Sequence, residues 1–386
     1  MEDGGRQREE ARRGRTLSRD GRIGRFQHLS QHHTVRSINL TASQGVCHTD
    51  VLIGGLPNGA APIAFYPRVL GHEGSGYVRE VGPGVSVAKK GDPVLLSFAF
   101  CNSCAVCDAG HNSHCNSFNE LNFGTQPNVF GAKDDNGSNP TIPGAFFGQS
   151  SFASLSIVRE CSVVNASSLV SSKEELQLLS PLGCGVQTGA GTVINVAQAD
   201  KTDVVCILGL GGVGLSAIMG AKIQNARRII GVDRVGSRLA LAKEMGATHV
   251  IDSSKLAEGQ TLVDAVREAA DGLGPTVTVD TTGVPVLIKA AIDFARNRGK
   301  VIQVGSAPFD FKLELNVFEF MVRGIQYIGA VEGQSYPPDF VSKMVQWRKE
   351  GKFPVDKMMK LMPADKFEEA LHEMHDGTTI KPILCW

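Results

Sequence analysis

DVVCILGLGGVGLSAIMGAKIQNARRIIGVD, residues 203–233, decides the fold. It opens on DVVCIL, an apolar run without alternation, as a strand covered on both faces requires. GLGGVG (209–214) follows directly and sets Gly209, Gly211 and Gly214 in a G-x-G-x-x-G frame, with Gly212 and Val213 between the last two. GLSAIMGAKIQNA (214–226) then reads as a helix and RIIGVD (228–233) as the next strand, ending on Asp233, 19 residues beyond Gly214. In such a frame the first glycine permits a tight turn and the second lets the backbone approach a pyrophosphate. The third lets helix and strand pack closely, and the helix N-terminus offers free N–H groups to the phosphates. Asp233 stands where a carboxylate accepts both ribose hydroxyls. A bare glycine pattern is equally a structural turn, but strand, turn, helix and acid together predict a dinucleotide site. A carboxylate repels a 2′-phosphate, so NAD is expected over NADP; the adjacent Arg234 is the residue that argues the other way.

The same grammar runs on downstream. TVTVD (276–280), KVIQVG (300–305) and IQYIGA (325–330) read as buried strands, and SRLALAKEMGA (237–247) and PVLIKAAIDFARNRG (285–299) as helices between strands. Apolar strands alternating with helices predict βαβ units and a doubly wound parallel sheet. Upstream, from Ile38 to about Arg159, short strand-like runs such as GYVREVG (76–82) and DPVLLSF (92–98) are split by turn signals, which predicts an all-β barrel-like region. Residues 331–386 return to mixed elements, with helices near 339–349 and 366–376 and a final strand in IKPILCW.

The 386 residues suit two domains with sizeable cores. Lys+Arg and Asp+Glu both number 39, which argues against a protein held to nucleic acid or an anionic membrane by bulk charge. Val204 to Met219, the longest apolar stretch, is broken by four glycines and too short to span a bilayer. The opening residues show no apolar signal-peptide core, so a soluble, cytoplasmic protein is expected. Residues 1–36 hold nine Arg, no Lys and seven residues of the hydrophobic set, too little apolar material to order them, and are expected to form a tail outside the fold.

An odd nine cysteines disfavours a disulfide framework. Cys101-x₂-Cys104-x₂-Cys107-x₇-Cys115 gathers four soft ligands into one loop, the donor set of a closed, structural tetrahedral zinc site. An iron–sulfur cluster also takes four Cys, but the seven-residue gap fits it less well. Cys47 in GVCHTD (45–50), His72 in GHEGSG (71–76) and Cys184 in PLGCGVQTG (181–189) are metal-capable residues that, taken singly, also read as core. Cys161, Cys206 and Cys385 read as packing residues.

Taken together, GHEGSGYVREVGPGV, the four-cysteine loop, GCGVQTGAG and GLGGVG stand in the order and spacing of the zinc-dependent medium-chain alcohol dehydrogenase family, which residues 45–386 resemble. GAFFGQSSFA (144–153) looks most like its aryl- or benzyl-alcohol branch. The resemblance implies a GroES-like β-barrel catalytic domain over 37–185 and 331–386 and a Rossmann domain over 186–330. It implies two zinc ions per subunit, the catalytic one on Cys47, His72 and Cys184, with Asp50 orienting His72 and Glu73 close enough to approach the metal. Hydride would pass between an alcohol carbon and NAD, with Thr49 taking the alcohol's proton, and His48 and Lys381 would meet the cofactor pyrophosphate. A homodimer or homotetramer is implied, with a small alcohol or aldehyde as substrate. Phe98, Phe118, Phe123 and Phe146 are candidates for an aromatic-lined pocket or for core.

The sequence departs from the family at two places. Leu52 stands where many members end the proton relay in a histidine, so the proton is expected to leave through water or a neighbouring acid, or turnover to slow at low pH. Before Cys47 only SINLTAS (37–43) reads as a strand, which raises the expectation of an incomplete barrel with an exposed edge. The resemblance also implies an alternative, a hydroxymethyl-thiol (formaldehyde) dehydrogenase of the same family, and the barrel departure suggests another, a non-catalytic nucleotide-binding relative with a defective barrel.

Overall fold

A computed structural model describes residues 37–386 except 62, 125 and 132–140; the expected tail 1–36 lies outside the described residues. The first part of the chain supplies β1 (Ser37–Gly45), β2 (Gly74–Glu80), β3 (Pro93–Leu96), β4 (Gln126–Gly131), β5 (Thr141–Gly144), β6 (Leu155–Val158) and β7 (Val163–Asn165). The middle supplies β8 (Val204–Leu208), β9 (Arg228–Asp233), β10 (His249–Asp252), β11 (Val277–Asp280), β12 (Lys300–Gln303) and β13 (Gln326–Gly329). The end adds β14 (Met359–Pro363) and β15 (Lys381–Cys385). Five helices matter to the site and its surroundings: α1 (His48–Gly54), α2 (Gly185–Gly191), α3 (Gly212–Ile223), α4 (Val317–Arg323) and α5 (Pro337–Lys349).

β8–β13 form a six-stranded sheet in the order β10-β9-β8-β11-β12-β13, every pair parallel. All five residues of β8 are buried, as the unbroken apolar run requires. The chain steps outward from β8 to β10 and then returns to β11 beside β8, so the order reverses there. A crevice at the carboxyl ends of these strands is where open α/β sheets take their ligands.

The other large sheet has seven strands, β14-β15-β1-β2-β3-β7, with β6 paired to β1. β1 has partners along both edges: β2 on one, and on the other β6 against Ser37–Leu40 and β15 against Ser43–Gly45. β1, the one strand read before Cys47, therefore has no open edge along these residues, one side being covered by β6 and β15. β14 and β15 pair in parallel, tying the closing segment into the same sheet. The helix expected over 285–299 ends at Phe294, because Ala295 swings to ψ 142° and Arg298 takes a left-handed φ of 63°. No helix among the described residues is long and apolar enough to cross a membrane.

Candidate active site and nucleotide loop

Three separate turns bring Cys47, His72 and Cys184 together. Cys47 caps α1, His72 precedes β2, and Cys184 lies at the start of α2. One ligand atom from each lies within 4.8 Å of the other two, and all three residues are buried. His72 Nδ1 faces Asp50 Oδ1 at 3.1 Å, and the same oxygen accepts from the Gly71 amide at 2.9 Å. That fixes Nδ1 as the protonated nitrogen and leaves Nε2, which is buried and has no hydrogen-bond partner among the described residues. An orphaned imidazole nitrogen beside two thiols is a donor set without an acceptor, and a zinc ion fits it.

The electrostatics point the same way. Hydrogen bonding from Cys184, opposed by burial and aided by His72 and Lys381, holds the Cys47 thiol well below the usual range, while the Cys184 thiol is pushed up by Cys47 and by burial. Burial disfavours the His72 cation, but Asp50 and Cys47 outweigh it and raise its pKa. Glu73 is fully buried, and burial raises its carboxyl against the pull of Lys381. Lys381 Nζ sits 3.0 Å from both Glu73 oxygens and 3.1 Å from the Val46 carbonyl. Its Cε also lies 3.2 Å from where a Cβ on Gly212 would stand. Lys381 thus joins the metal pocket to the glycine loop, with its charge engaged by Glu73. Thr49 is half-buried and His48 exposed on α1.

Gly209 turns at φ 84° at the carboxyl end of β8, and a Cβ on Gly214 would stand 1.8 Å from the Gly209 carbonyl oxygen. The turn and the close helix–strand packing therefore both demand glycine. Nothing lies within 4 Å of a Cβ position on Gly211, so the backbone there is open to approach, as a pyrophosphate needs. Asp233 Oδ1 accepts from the amides of Arg234 (2.7 Å) and Val235 (2.9 Å), and Oδ2 from Leu210 (2.7 Å). The acid is thereby pinned against the glycine loop.

The second cluster gathers Cys101, Cys104, Cys107 and Cys115, again with ligand atoms within 4.8 Å of one another. Cys101 and Cys107 sulfurs stand 3.9 Å apart, and the Cys101 amide donates to Cys115 Sγ at 3.3 Å. Backbone amides of Asn116 and Cys107 lower the Cys104 thiol to about 6, while burial pushes Cys107 up to about 12. Cys206 is buried in the parallel sheet, as expected of a packing residue.

Of the four phenylalanines, Phe98 and Phe146 are fully buried and belong to the core. Phe118 and Phe123 are partly exposed at its margin. Sequence reasoning missed Phe147, whose ring stacks on His72 at 4.4 Å from a left-handed φ of 50°. It also missed Arg68, which donates to the carbonyls of Ile63, Phe123 and Gly124 and lies 5.0 Å over Phe146. Glu332 was missed as well; it is buried, and burial pushes its carboxyl up to about 7. Only the left-over motif residues Gln187 and Thr188, which reach it, hinted at such a partner.

A dinucleotide loop at a topological switch point, contiguous with a buried thiol–imidazole pocket, defines the class of metal-dependent dehydrogenases. Residues 38–168 match the alcohol dehydrogenase GroES-like domain and residues 212–350 the zinc-binding dehydrogenase domain. A geraniol dehydrogenase from Castellaniella defragrans is 40% identical over 89% of each chain. A probable S-(hydroxymethyl)glutathione dehydrogenase from Schizosaccharomyces pombe is 34% identical over 88% of this chain and 87% of its own. The crystal structure of a benzyl alcohol dehydrogenase from Acinetobacter calcoaceticus superposes with a TM-score of 0.80 at 35% identity, over 93% of this chain and 94% of its own. The chain belongs to the zinc-dependent medium-chain alcohol dehydrogenase family and is an alcohol dehydrogenase.

Proposed function

We propose that the chain oxidises aromatic or allylic primary alcohols to aldehydes, and reduces them back, with NAD. The observation that carries this reading is the free His72 Nε2 beside Cys47 and Cys184, reached from the glycine loop through Lys381. Bound there, zinc supplies a Lewis acid and NAD a hydride acceptor. The chain's own residues do the rest. Asp50 holds the imidazole tautomer, Glu73 and Lys381 neutralise each other beside the pocket, and Thr49 takes the substrate hydroxyl proton. Leu52 is apolar and half-exposed, so that proton passes from Thr49 to water. Phe147, Phe118 and Phe123 form an apolar wall that excludes water and favours a flat or unsaturated substrate. The names of the relatives, geraniol and benzyl alcohol dehydrogenase, agree with that wall.

On this reading the catalytic domain comprises 37–185 and 331–386, and the nucleotide domain 186–330. Each chain holds two zinc ions, the second on the four-cysteine lobe, whose cysteines form no disulfide and suit the reducing cytoplasm. Asp233 selects NAD over NADP. The chain forms a homodimer or homotetramer through α4, which exposes Val317, Phe318, Met321 and Val322 beside β13, the end strand of its sheet. NAD-coupled turnover on benzyl, cinnamyl and simple aliphatic alcohols and on hydroxymethyl-glutathione tests the substrate class. Expected is a kcat/KM for the first two at least about 10-fold above the others, the worth of one good apolar pocket contact. Preference for hydroxymethyl-glutathione would overturn it.

A further inference from the structure

The motif GCGVQTG carries more than the ligand Cys184. Gln187 is fully buried, and its Nε2 lies 2.6 Å from the Gly183 carbonyl, 2.8 Å from Ser97 Oγ and 2.9 Å from Glu332 Oε2. Gly183 immediately precedes Cys184, and Ser97 closes the triangle by donating to that same carbonyl at 2.6 Å. Thr188, the next residue of α2, also faces Glu332 Oε2, at 3.4 Å. One amide therefore ties the backbone carrying a metal ligand to the barrel on one side and to the turn beyond β13 on the other.

That turn is itself held in an uncommon shape. Glu332, Gly333 and Gln334 take left-handed φ values of 51°, 61° and 46°, two of them on side chains that disfavour it. Such a run persists only where the surroundings fix it. Asn195 donates to the Gly333 carbonyl at 3.0 Å, and Gln334 Nε2 meets His114 Nε2, from the four-cysteine lobe, at 3.3 Å. No Lys or Arg among the described residues is in ion-pair distance of Glu332, so its buried carboxyl has the Gln187 amide as its shortest hydrogen bond. A buried acid outside ion-pair distance of any Lys or Arg among the described residues is costly to keep, and in this place it fixes the amide that grips the ligand arm.

We propose that Gln187 and Glu332 are a pair of positioning residues that hold the Cys184 arm in its metal-binding place by linking it to the turn at 332–334. Gln187 acts on the arm through the Gly183 carbonyl, and Glu332 acts through Gln187. The proposal rests on the reading of Cys47, His72 and Cys184 as a zinc site.

The test is zinc release from the full-length zinc-loaded protein into a chromogenic chelator, 4-(2-pyridylazo)resorcinol. The parent is expected to release zinc in two phases, and Cys47→Ser, which lacks one, assigns the phase of the three-ligand site. Gln187→Leu and Glu332→Leu should each speed that phase about 10-fold, the usual effect of losing an outer partner, and leave the four-cysteine phase within about twofold. Glu332→Gln should stay within about threefold of the parent, because its amide oxygen still accepts from Gln187. The double variant Gln187→Leu/Glu332→Leu should be no faster than Gln187→Leu alone, since the two act as a unit. The pair is refuted by unchanged release in the leucine variants, by equal acceleration of both phases, by Glu332→Gln releasing as fast as Glu332→Leu, or by additive effects in the double variant. A parent that releases about one zinc per chain, with Cys47→Ser identical to it, would overturn the zinc reading itself and the pair with it, and that failure is visible before any Gln187 or Glu332 variant is compared.

Discussion

Asp233 shows how much a single side chain decides and how early it decides it. Three backbone amides hold its carboxylate against the glycine loop, so its position is set by the turn rather than by a ligand. Replacing Asp233 with Asn puts an amide donor where those N–H groups point and removes the charge that favours ribose hydroxyls over a 2′-phosphate. The KM for NAD should rise about 10- to 100-fold, the loss of a charged hydrogen-bond partner, and the NAD/NADP ratio of kcat/KM should narrow. Steady-state kinetics with both cofactors measures this; an unchanged ratio would contradict the role. Asp233 and the glycines were legible in the sequence because they sit in a short motif with its own chemistry. Cys47, His72 and Cys184 each also read as core and were brought together only by the family resemblance, which agrees with their clustering in the fold. Glu332 and Phe147 were not, because their partners are 145 and 75 residues away and only the folded chain brings them together. Lys381 was half legible: the family resemblance implies a place at the cofactor, but its pairing with Glu73 spans 308 residues.

Elements built on apolar runs were read well, and the reason is physical. A strand buried on both faces has no polar position to confuse it, and β9 runs over the residues its pattern marks, 228–233. Helix α2 was invisible for the opposite reason: GVQTGAG has three glycines, each a poor helix former, yet it is buried throughout and packing overrides propensity. Helix α5 illustrates a contact that joins elements distant in sequence. Arg348 donates from Nη1 to Glu175 at 2.7 Å and from Nε to both Asp356 oxygens at 2.9 Å, fastening the closing segment to the helix at Lys173–Leu178. Although burial raises it, the Glu175 carboxyl lies below its ordinary value, held there by Ser171 and by Arg348. Arg348→Met should therefore lower stability by about 1 kcal/mol near pH 7, a partly exposed network. A depressed carboxyl contributes stability above its unfolded pKa and loses it as pH falls through the folded value. The Tm difference between parent and variant should accordingly shrink below about pH 4. A difference that stays constant from pH 7 to 3.5 would show that Glu175 is not part of the contact.

At the scale of the whole molecule, β15 joins the first sheet between β1 and β14. β15 pairs Ser43 with Cys385 and Gly45 with Ile383, so the last residues close the barrel beside Cys47. The return to mixed elements after residue 331 was legible in composition, whereas the closure of β1 was not, because strand partners are not encoded locally. The exposed apolar residues of α4, Val317, Phe318, Met321 and Val322, are the surface on which the proposed oligomer is tested. Met321→Glu places a charge in that patch and should lower the molar mass found by light scattering to that of one chain of 41.1 kDa, without loss of zinc. An unchanged oligomer would put the interface elsewhere. On the proposed function, three dispersed residues and one four-cysteine loop make two different metal sites, and only the first is needed for turnover. Metal analysis paired with NAD-coupled oxidation of benzyl alcohol, on the parent and on Cys47→Ser, tests it most directly. Expected are about two zinc ions per chain in the parent and about one in the variant, with kcat/KM lower by at least about 100-fold. A Cys47→Ser protein that kept both ions and full turnover would contradict it.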